Sequence, residues 1–205
     1  IIHAHDFTAS ISAAMVLNRI PVISHLHNNP LWLKKMNLRS MLYGLSCFRY
    51  SQILTVSPSV MDEFIFGSFF SMKTNVVSNP IDLTRIKLLS EEENPVGTYD
   101  LAFVGRLTEQ KSPDVFLNII SELKKEHTNI RALMLGDGEL LDEIREQIRY
   151  LNLEENIELK GFQKNPYIYL KKAKILCMPS RWEGFGLAAV EALSLGLPIL
   201  ASEVG

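Results

Sequence analysis

From residue 98 onward, short apolar runs alternate with segments of helical period. The runs "LAFVG", "IRALMLG", "IELKG", "KILCM" and "PILAS" have the length and composition of buried strands. The segments between them place apolar residues on one helical face, as Phe116, Ile120 and Leu123 do in the first. Five strands that alternate with four helices are typical of a parallel sheet with helices on both faces. The order therefore predicts a doubly wound, Rossmann-like α/β domain.

The first 78 residues follow a looser version of the same order. Strand candidates stand at "PVISHL", "QILTVS" and "NVVSN", and helical segments at about 8–18, 32–49 and 58–70. These elements predict a second Rossmann-like unit. The chain begins at Ile1, in what looks like the end of a strand, and stops at Gly205 directly after another strand. We expect both units to be truncated.

The segment that joins the two units, "NPIDLTRIKLLSEEENPVGTYD", has two prolines, three consecutive glutamates and little periodicity. Such a composition is typical of an interdomain connection. We place the boundary near residue 95, which gives an N-terminal domain over 1–95 and a C-terminal domain over 96–205.

Composition excludes some classes of protein. The chain is 47% hydrophobic and 21% charged, as expected of ordinary cores. A formal charge of -2 offers no overall field for nucleic acid, although residues 7–61 contain no acid and five basic residues. Cys47 and Cys177 each lie in an apolar run and read as buried thiols of a reducing compartment. The sequence has no membrane-spanning run and no signal peptide, so we expect a cytoplasmic protein. Peripheral contact with the inner face of the membrane stays open as a further expectation.

Helix-end signals agree with these elements. Ser112 followed by Pro113 predicts an N-cap and a proline in the first helical position. Gly196, with Pro198 shortly after it, predicts the end of the last helix.

Two cations follow the first strand of the C-terminal domain. In open parallel sheets, ligands lie at the carboxyl ends of the strands, where helices present free N–H groups. Arg106 and Lys111 stand in "RLTEQKSP" at such an end and suit a diphosphate. Solvated loop charges are the alternative. The turn "LGDGEL" lacks the third glycine of a dinucleotide fingerprint and is weak by itself.

A pair of acids surrounds the loop "RWEGFG". Glu183 lies in the loop, and Glu191 lies about one turn into the following helix. Gly184 and Gly186 let the backbone approach a ligand, and amides from Phe185 to Leu187 start the helix. Carboxylates accept hydrogen bonds from vicinal hydroxyls, so the set suits a nucleotide sugar. A helix-capping Glu183 and a solvated Glu191 are the alternative.

The segments "VGRLTEQKSPDVFLNII", "LGDGEL", "MPSRWEGFGLAAVEALSLGLPILAS" and "VSNPID" resemble the retaining glycosyltransferases of family 4, which have the two-domain GT-B fold. The spacing of Glu183 and Glu191 matches the E-x7-E motif of that family, and Gly105, Arg106 and Lys111 match its glycine, arginine and lysine. The matching motifs spread over most of residues 77–205.

The resemblance implies roles for these residues. Arg106 and Lys111 would hold and stabilise the departing diphosphate, Glu191 would bind ribose, and Glu183 would contact the donor sugar. Gly105 and the amides of Phe185, Gly186 and Leu187 would assist in donor binding. The resemblance further implies no metal and no cofactor, a front-face mechanism with retention, and base recognition by backbone around residues 161–164.

In the N-terminal domain, "SHLHN" resembles the strand end with the family's active-site histidine, assigned to His27 rather than His25 by its position further along the strand. "IIHAHDF" resembles another segment at the interdomain cleft. A structural hydrogen-bonding role is the alternative for His27. The family's N-terminal glycine-rich loop does not occur in this sequence.

Three alternatives stay open. His3, His5, Asp6, His25 and His27 could hold zinc or manganese in a metal-dependent hydrolase, because residues i and i+2 of a strand share a face. A phosphorylase-like or sugar-nucleotide-binding protein could use the same fold. The segment "PLWLKKMNLRSMLYGLSCFRY" could be an interfacial helix on anionic lipid or an ordinary packed helix with a basic outer face.

The sequence therefore predicts an enzyme, a retaining nucleotide-sugar glycosyltransferase. It would move a hexose or N-acetylhexosamine from a nucleoside diphosphate sugar to a saccharide or lipid-linked acceptor, in cell-surface polysaccharide synthesis. The expected partners are this donor and acceptor, with possible peripheral membrane contact and no nucleic acid.

Overall fold

A computed structural model describes residues 1–16, 20–92 and 97–204. It forms two compact α/β units. Unit 1 comprises Ile1–Pro80 and the short segment Trp182–Phe185, and unit 2 comprises Ile81–Arg181 and Gly186–Val204. Both units have a parallel sheet, as the alternation of apolar runs and helical segments predicted.

Unit 1 has four parallel strands in the order β1-β2-β3-β4. The strands are β1 (Ile2–His5), β2 (Val22–Leu26), β3 (Gln52–Thr55) and β4 (Thr74–Val76). The helices are α1 (Asp6–Met15), α2 (Leu38–Cys47) and α3 (Ser59–Asp62), with 3-10 helices at Leu31–Lys34 and Gly67–Lys73. Val22, Leu26 and Ile53 of the strands pack on Tyr43 and Cys47 of α2 to form the core.

Two helices predicted in unit 1 are shorter than expected. The segment 32–49 is interrupted because Asn37 caps α2, accepting hydrogen bonds from the backbone N–H groups of Arg39 and Ser40. The segment 58–70 has only the one-turn α3 followed by a 3-10 helix. A Cβ at Gly67 would lie 1.9 Å from the carbonyl oxygen of Met61, so the backbone turns tightly back on itself there.

Unit 2 has five parallel strands in the order β7-β6-β5-β8-β9. The strands are β5 (Tyr99–Val104), β6 (Ala132–Leu135), β7 (Ile157–Gly161), β8 (Ala173–Met178) and β9 (Ile199–Ala201). The helices are α4 (Leu83–Ser90), α5 (Pro113–Glu126), α6 (Leu141–Tyr150), α7 (Tyr167–Leu170) and α8 (Leu187–Ser194). The order confirms the predicted doubly wound sheet.

Apolar residues cover both faces of this sheet. Successive strand side chains point to opposite faces, so Leu101 and Phe103 of β5 pack with Phe116 and Ile144 of α5 and α6. Ala102 of β5 packs on the opposite face with the α8 side chain Ala192 and with Leu170 of α7. Near-continuous apolar strands are thus required by burial on two sides.

The connection between the units contains a helix that the sequence analysis missed. Helix α4 begins after Asp82, whose carboxylate accepts a hydrogen bond from the backbone N–H of Arg85 at 2.9 Å. It packs against α7 and α8 and buries Ile86. The units divide between Pro80 and Ile81, whereas the boundary predicted at residue 95 lies outside the described residues.

The predicted helix ends are correct in position, and only the N-cap of α5 differs in mechanism from the prediction. Ser112 is the N-cap residue of α5 and Pro113 follows at the first position, but Ser112 has a φ of 50° and its hydroxyl donates to the carbonyl of Glu109. At the end of α8, the N–H of Leu197 donates to the carbonyl of Ala192, and that of Gly196 donates to Leu193. These paired bonds form a Schellman motif.

Both cysteines are buried free thiols, as predicted. Burial raises the pKa of Cys47 to about 12 and that of Cys177 to about 11. Thiols of such pKa are poor nucleophiles at neutral pH, so both act as small apolar core residues.

Helix length bears on membrane insertion. The longest helix, α5, has 14 residues. Across residues 1–16, 20–92 and 97–204, no helix is both long and apolar enough to cross a bilayer.

Gly136 follows β6 and lies against Gly105, which follows β5, so substitution of Gly136 tests the packing between these two strand ends. It has a φ of 143°, and a Cβ would lie 1.8 Å from the carbonyl oxygen of Gly105. We expect Gly136→Ala to lower the free energy of unfolding by about 2–5 kcal/mol, because backbone strain and overlap add. The control Gly196→Ala has a φ of 76° with nothing within 4 Å of the added carbon, and should cost roughly 1–2 kcal/mol. Urea denaturation of both variants measures the difference; equal losses would contradict the close contact.

Candidate functional site

The loop after β5 holds the two predicted diphosphate ligands. The aliphatic stem of Lys111 packs on Gly105, with its Cγ 3.5 Å from where a Cβ would lie. Arg106 is exposed, and its guanidinium lies 3.5 Å from the side-chain oxygen of Gln110. The lysine stem therefore lies across the strand end, at an ordinary van der Waals distance from position 105.

This loop is tied to the loop after β6. The N–H of Leu107 donates to the carbonyl of Asp137 at 2.9 Å, and the N–H of Leu140 donates to the carbonyl of Leu107 at 3.0 Å. Beside these bonds lies a cavity of ≈ 280 Å³. Its lining residues are Val104, Gly105, Arg106, Leu135, Gly136, Asp137, Phe162, Gln163 and Pro166.

Arg181, at the end of β8, fastens the start of α5. Its backbone N–H donates to the carbonyl of Gln110 at 2.8 Å, and its guanidinium bonds the Ser112 hydroxyl at 3.3 Å. The guanidinium also pairs with Glu109 at 3.1 Å and with Asp114 at 4.0 Å. Arg181 therefore joins the loop after β5 to the end of β8 and offsets part of the negative charge of two acids beside the helix start.

The two loops meet at the point where the strand order of unit 2 reverses. The chain moves from β5 outward through β6 and β7, then returns to place β8 on the other side of β5. The helices that follow β5 and β8 lie on opposite faces of the sheet. A crevice opens between the carboxyl ends of two such strands, and ligands of open α/β sheets bind there.

Helix α8 leaves β8 at this crevice. Its N-cap residue is Gly186, with a φ of 72° that side chains rarely adopt, and Leu187 is the first helical residue. The free N–H groups and positive dipole end of the helix therefore start where the sequence predicted.

Glu191 lies one turn into α8 and is half-buried. The Tyr167 hydroxyl donates a hydrogen bond to its carboxylate at 3.1 Å. Burial raises the pKa of Glu191, and the bond from Tyr167 opposes this by favouring the ionised form. The alternative of a fully solvated Glu191 is wrong, because the carboxylate has a defined partner.

Glu183 and Phe185 belong to unit 1. The Phe185 ring packs against the unit 1 core. Within this unit, a Cβ at Gly184 would lie 2.2 Å from the carbonyl oxygen of His27. The glycine thus allows close approach to the backbone after β2, whereas the sequence analysis expected it to allow approach to a ligand.

His27 follows β2 and is held on two sides. Its backbone N–H donates to the Asp6 carboxylate at 3.1 Å, and its Nε2 shares a 2.8 Å hydrogen bond with Nδ1 of His5. Asp6 has a φ of 64°, an uncommon conformation for a residue with a side chain. His27 is therefore positioned by neighbours from the end of β1.

Four histidines stack on one face of unit 1. The rings of His3 and His5 on β1 lie 4.5 Å apart, and those of His25 and His27 at the end of β2 lie 4.3 Å apart. Both ring nitrogens of His25 are buried without a hydrogen bond. Its pKa is lowered by burial and then by the charges of the other three histidines.

Sequence reasoning missed Arg181 and Tyr167. Arg181 stands just after the strand "KILCM". Its place at the carboxyl end of a strand was the one signal that could have identified it. Tyr167 lies in "PYIYL", where two tyrosines look alike in sequence. Only the packing of α7 against the sheet distinguishes the one that reaches Glu191.

Two family models match the chain. The model "Glycosyl transferases group 1" matches residues 85–205, and the model "Glycosyltransferase Family 4" matches residues 1–85. The two matches meet inside α4.

Curated relatives of similar sequence include glycosyltransferases. The chain is 32% identical over 222 residues to the uncharacterized glycosyltransferase MJ1059 of Methanocaldococcus jannaschii, covering 99% of the chain and 55% of the relative. It is 29% identical over 184 residues to N-acetylgalactosamine-N,N'-diacetylbacillosaminyl-diphospho-undecaprenol 4-alpha-N-acetylgalactosaminyltransferase of Campylobacter jejuni, covering 89% of the chain and 48% of the relative. The chain thus spans about half the length of these relatives.

The fold is that of a known structure. HepE of Anabaena, solved in complex with UDP and glucose, superposes with a TM-score of 0.79 at 19% identity, covering 99% of this chain and 59% of that one. The two parallel-sheet, Rossmann-like units are those of the GT-B fold. The chain belongs to the glycosyl transferases group 1 family, of the family 4 type with the GT-B fold.

Proposed function

We propose that the protein transfers a hexose or N-acetylhexosamine from a nucleoside diphosphate sugar to a saccharide or lipid-linked acceptor, with retention of configuration. The observation that carries the proposal is the crevice of unit 2, where Arg106 and Lys111 follow β5 and the start of α8 follows the adjacent β8. Cations and a helix N-terminus at one crevice suit a diphosphate.

The donor parts are assigned by chemistry. Arg106 and Lys111 bind the diphosphate, with the amides at Gly186 and Leu187. The Glu191 carboxylate accepts hydrogen bonds from ribose hydroxyls, and Tyr167 holds it in position. The HepE complex with UDP and glucose supports a donor of this class.

The base belongs in the cavity beside Arg106. Its volume of ≈ 280 Å³ is below the roughly 300–1,000 Å³ of sites that hold whole drug-sized ligands. A cavity of this size suits one ring of the donor. Phe162 lines this cavity, is 72% exposed and offers its ring as a stacking surface. Backbone groups around residues 161–164 would read the base edge.

Catalysis rests on leaving-group stabilisation. When the bond from the anomeric carbon to the phosphate oxygen breaks, its electrons pass to the diphosphate, and the two cations stabilise that charge. The departing oxygen takes the proton of the acceptor hydroxyl that attacks the same face. Glu183 and His27 are proposed to contact the donor sugar, and the chemistry needs no metal.

An apolar surface on unit 1 supports peripheral membrane contact in a cytoplasmic enzyme with a lipid-linked acceptor. The outer face of α2 and the 3-10 helix after α3 expose large apolar side chains, here called the α2 surface: Leu38, Met41, Leu42, Leu45, Phe48, Phe69 and Met72. The alternative of a packed helix with a basic outer face agrees with the buried Tyr43 and Cys47 of α2, although Arg39 is the one basic residue within α2 itself. A cavity of ≈ 360 Å³ opens between Met41, Phe48 and Phe69.

Charge favours an anionic bilayer as the occupant of this surface. Lys35 and Arg39 are exposed at the start of α2, and residues 7–61 contain no acid. An apolar face bordered by cations is typical of helices that lie in the interface of anionic lipid. We propose that the enzyme acts in cell-surface polysaccharide synthesis, and the Campylobacter jejuni relative, named for a diphospho-undecaprenol-linked substrate, supports this.

Donor binding tests the assignment of Lys111 and Glu191. We expect one nucleoside diphosphate sugar from a panel to raise the melting temperature of the full-length protein. Lys111→Ala and Glu191→Ala should each weaken its affinity about ten- to hundredfold, because each removes a charge-assisted hydrogen bond. Lys171→Ala, at an exposed lysine after α7, is the control. Unchanged affinity in both site variants would contradict the assignment. Sugar transfer to inorganic phosphate without nucleotide would favour the phosphorylase-like alternative.

Removing the Tyr167 hydroxyl tests how Glu191 is held. The bond from Tyr167 favours the ionised carboxylate, so Tyr167→Phe should raise the pKa of Glu191 further. As the pH is lowered, the variant should therefore lose donor affinity at a higher pH than the unmodified protein does. Calorimetric titration of donor against pH measures this, with Tyr169→Phe as control. Identical pH profiles for Tyr167→Phe and the unmodified protein would refute the positioning role.

Vesicle sedimentation tests the α2 surface. Leu45 and Phe48 are 67% and 75% exposed, and changing both to Glu should remove binding of the full-length protein to phosphatidylglycerol vesicles by lost burial and added repulsion. Leu88→Glu, at a leucine of α4 that is 69% exposed, should bind like the unmodified protein. Vesicle binding that changes with neither salt concentration nor lipid charge would contradict contact of the α2 surface with anionic lipid. Dimerisation abolished by the double variant would assign the surface to a second copy.

A further inference from the structure

Four of the five histidines of the chain form a grid on one sheet face of unit 1. β1 and β2 run parallel with His5 opposite His25. His3 precedes His5 by two residues and His27 follows His25 by two, so all four side chains point to the same side. The proposed glycosyl transfer uses only His27 of this set.

Three of these imidazoles present nitrogens to one point. One ring nitrogen from each of His3, His5 and His25 lies within 4.8 Å of the other two. Three imidazoles with a fourth position open are a ligand set that zinc accepts, at Zn–N distances of about 2.0–2.1 Å. Tetrahedral coordination at that distance needs nitrogens roughly 3.3 Å apart. His3 and His5 are exposed, so their side chains can close the remaining gap by rotation.

A second observation, independent of the distances between the rings, is that the His25 imidazole lacks a hydrogen-bond partner. Its two ring nitrogens are buried and make no hydrogen bond, although an imidazole always has one donor and one acceptor to satisfy. A buried polar atom without a partner costs about 1–3 kcal/mol. A metal bound between the three rings would give one of these nitrogens a ligand bond.

His27 fits the outer shell of such a site. Its Nε2 shares a hydrogen bond with Nδ1 of His5 at 2.8 Å, which leaves Nε2 of His5 to coordinate. Metal ligands usually direct the second ring nitrogen to a partner of this kind. With metal on Nε2, Nδ1–H of His5 donates the hydrogen bond to Nε2 of His27, so a neutral His27 carries its own proton on Nδ1.

We propose that His3, His5 and His25 form a binding site for a zinc-type divalent cation, with His27 as its outer-shell partner. The site lies on unit 1, and its test measures metal binding, so it does not depend on the proposed transfer. Imidazole ligands favour zinc, copper or nickel over magnesium and calcium, which prefer oxygen. Zinc is the cation to test first.

The experiment is a competition between the tag-free full-length protein and a chromophoric zinc chelator. We expect about one zinc per chain with a Kd tighter than about 10 μM. His3→Ala and His5→Ala, both at exposed positions, should each weaken binding at least about tenfold. His27→Gln should weaken it about tenfold through the outer shell. His127→Ala is the matched control, because His127 is the fifth histidine and lies on unit 2.

Circular dichroism shows whether each variant is folded before zinc is added. Loss of binding in folded His3→Ala and His5→Ala, with His127→Ala unchanged, supports the site. No stoichiometric zinc binding, or binding that both variants retain, overturns it. Displacement of zinc by an equal concentration of magnesium would also overturn it, since three imidazoles discriminate against that ion.

Discussion

Parallel pairing of β5 with β6 on one side and β8 on the other determines where the chemistry of unit 2 lies. A parallel strand is reached only by a crossover, so every loop that leaves a carboxyl end lies at the same edge of the sheet. The crossovers that follow β5 and β8 lead to opposite faces of the sheet, so the loops after these two strands diverge and leave a crevice between them. Arg106, Lys111 and the start of α8 come from segments some 80 residues apart in sequence, and this pairing sets the strands that lead to them side by side.

Much of unit 2 was predictable because its signals are local. Strands β5 and β6 are largely apolar on both sides, and β7 is apolar on one side with Glu158 and Lys160 on the other. All five runs have strand length between helical segments, so periodicity alone located them. Helix α4 was missed because its capping residue Asp82 lies among prolines and glutamates, and only Ile86 and Ser90 are buried. Its stability comes from packing on α7 and α8, which no window of sequence displays.

The site was predictable to the extent that it lies at strand ends. The positions of Lys111 and Glu191 followed from alternation and motif, whereas Tyr167 and Arg181 act through contacts over 24 and 69 residues, with Glu191 and Ser112 respectively. The same limit applies in unit 1. Residues i and i+2 of a strand share a face by geometry, but the register that sets His5 opposite His25 is a long-range pairing.

The acids beside the loop after β5 explain why Arg106 rather than Arg181 is proposed to bind the donor. Glu109 and Asp114 would lower the affinity of this loop for an anion if they were left alone. Arg181 pairs with both of them, and its charge is thereby balanced. Arg106 has no salt bridge within the described ranges and contacts the neutral Gln110 at 3.5 Å, a weak interaction at the limit of hydrogen bonding. One arginine therefore offsets part of the unfavourable field of the loop, and the other, which lines the cavity beside this loop, is proposed to bind the donor phosphates.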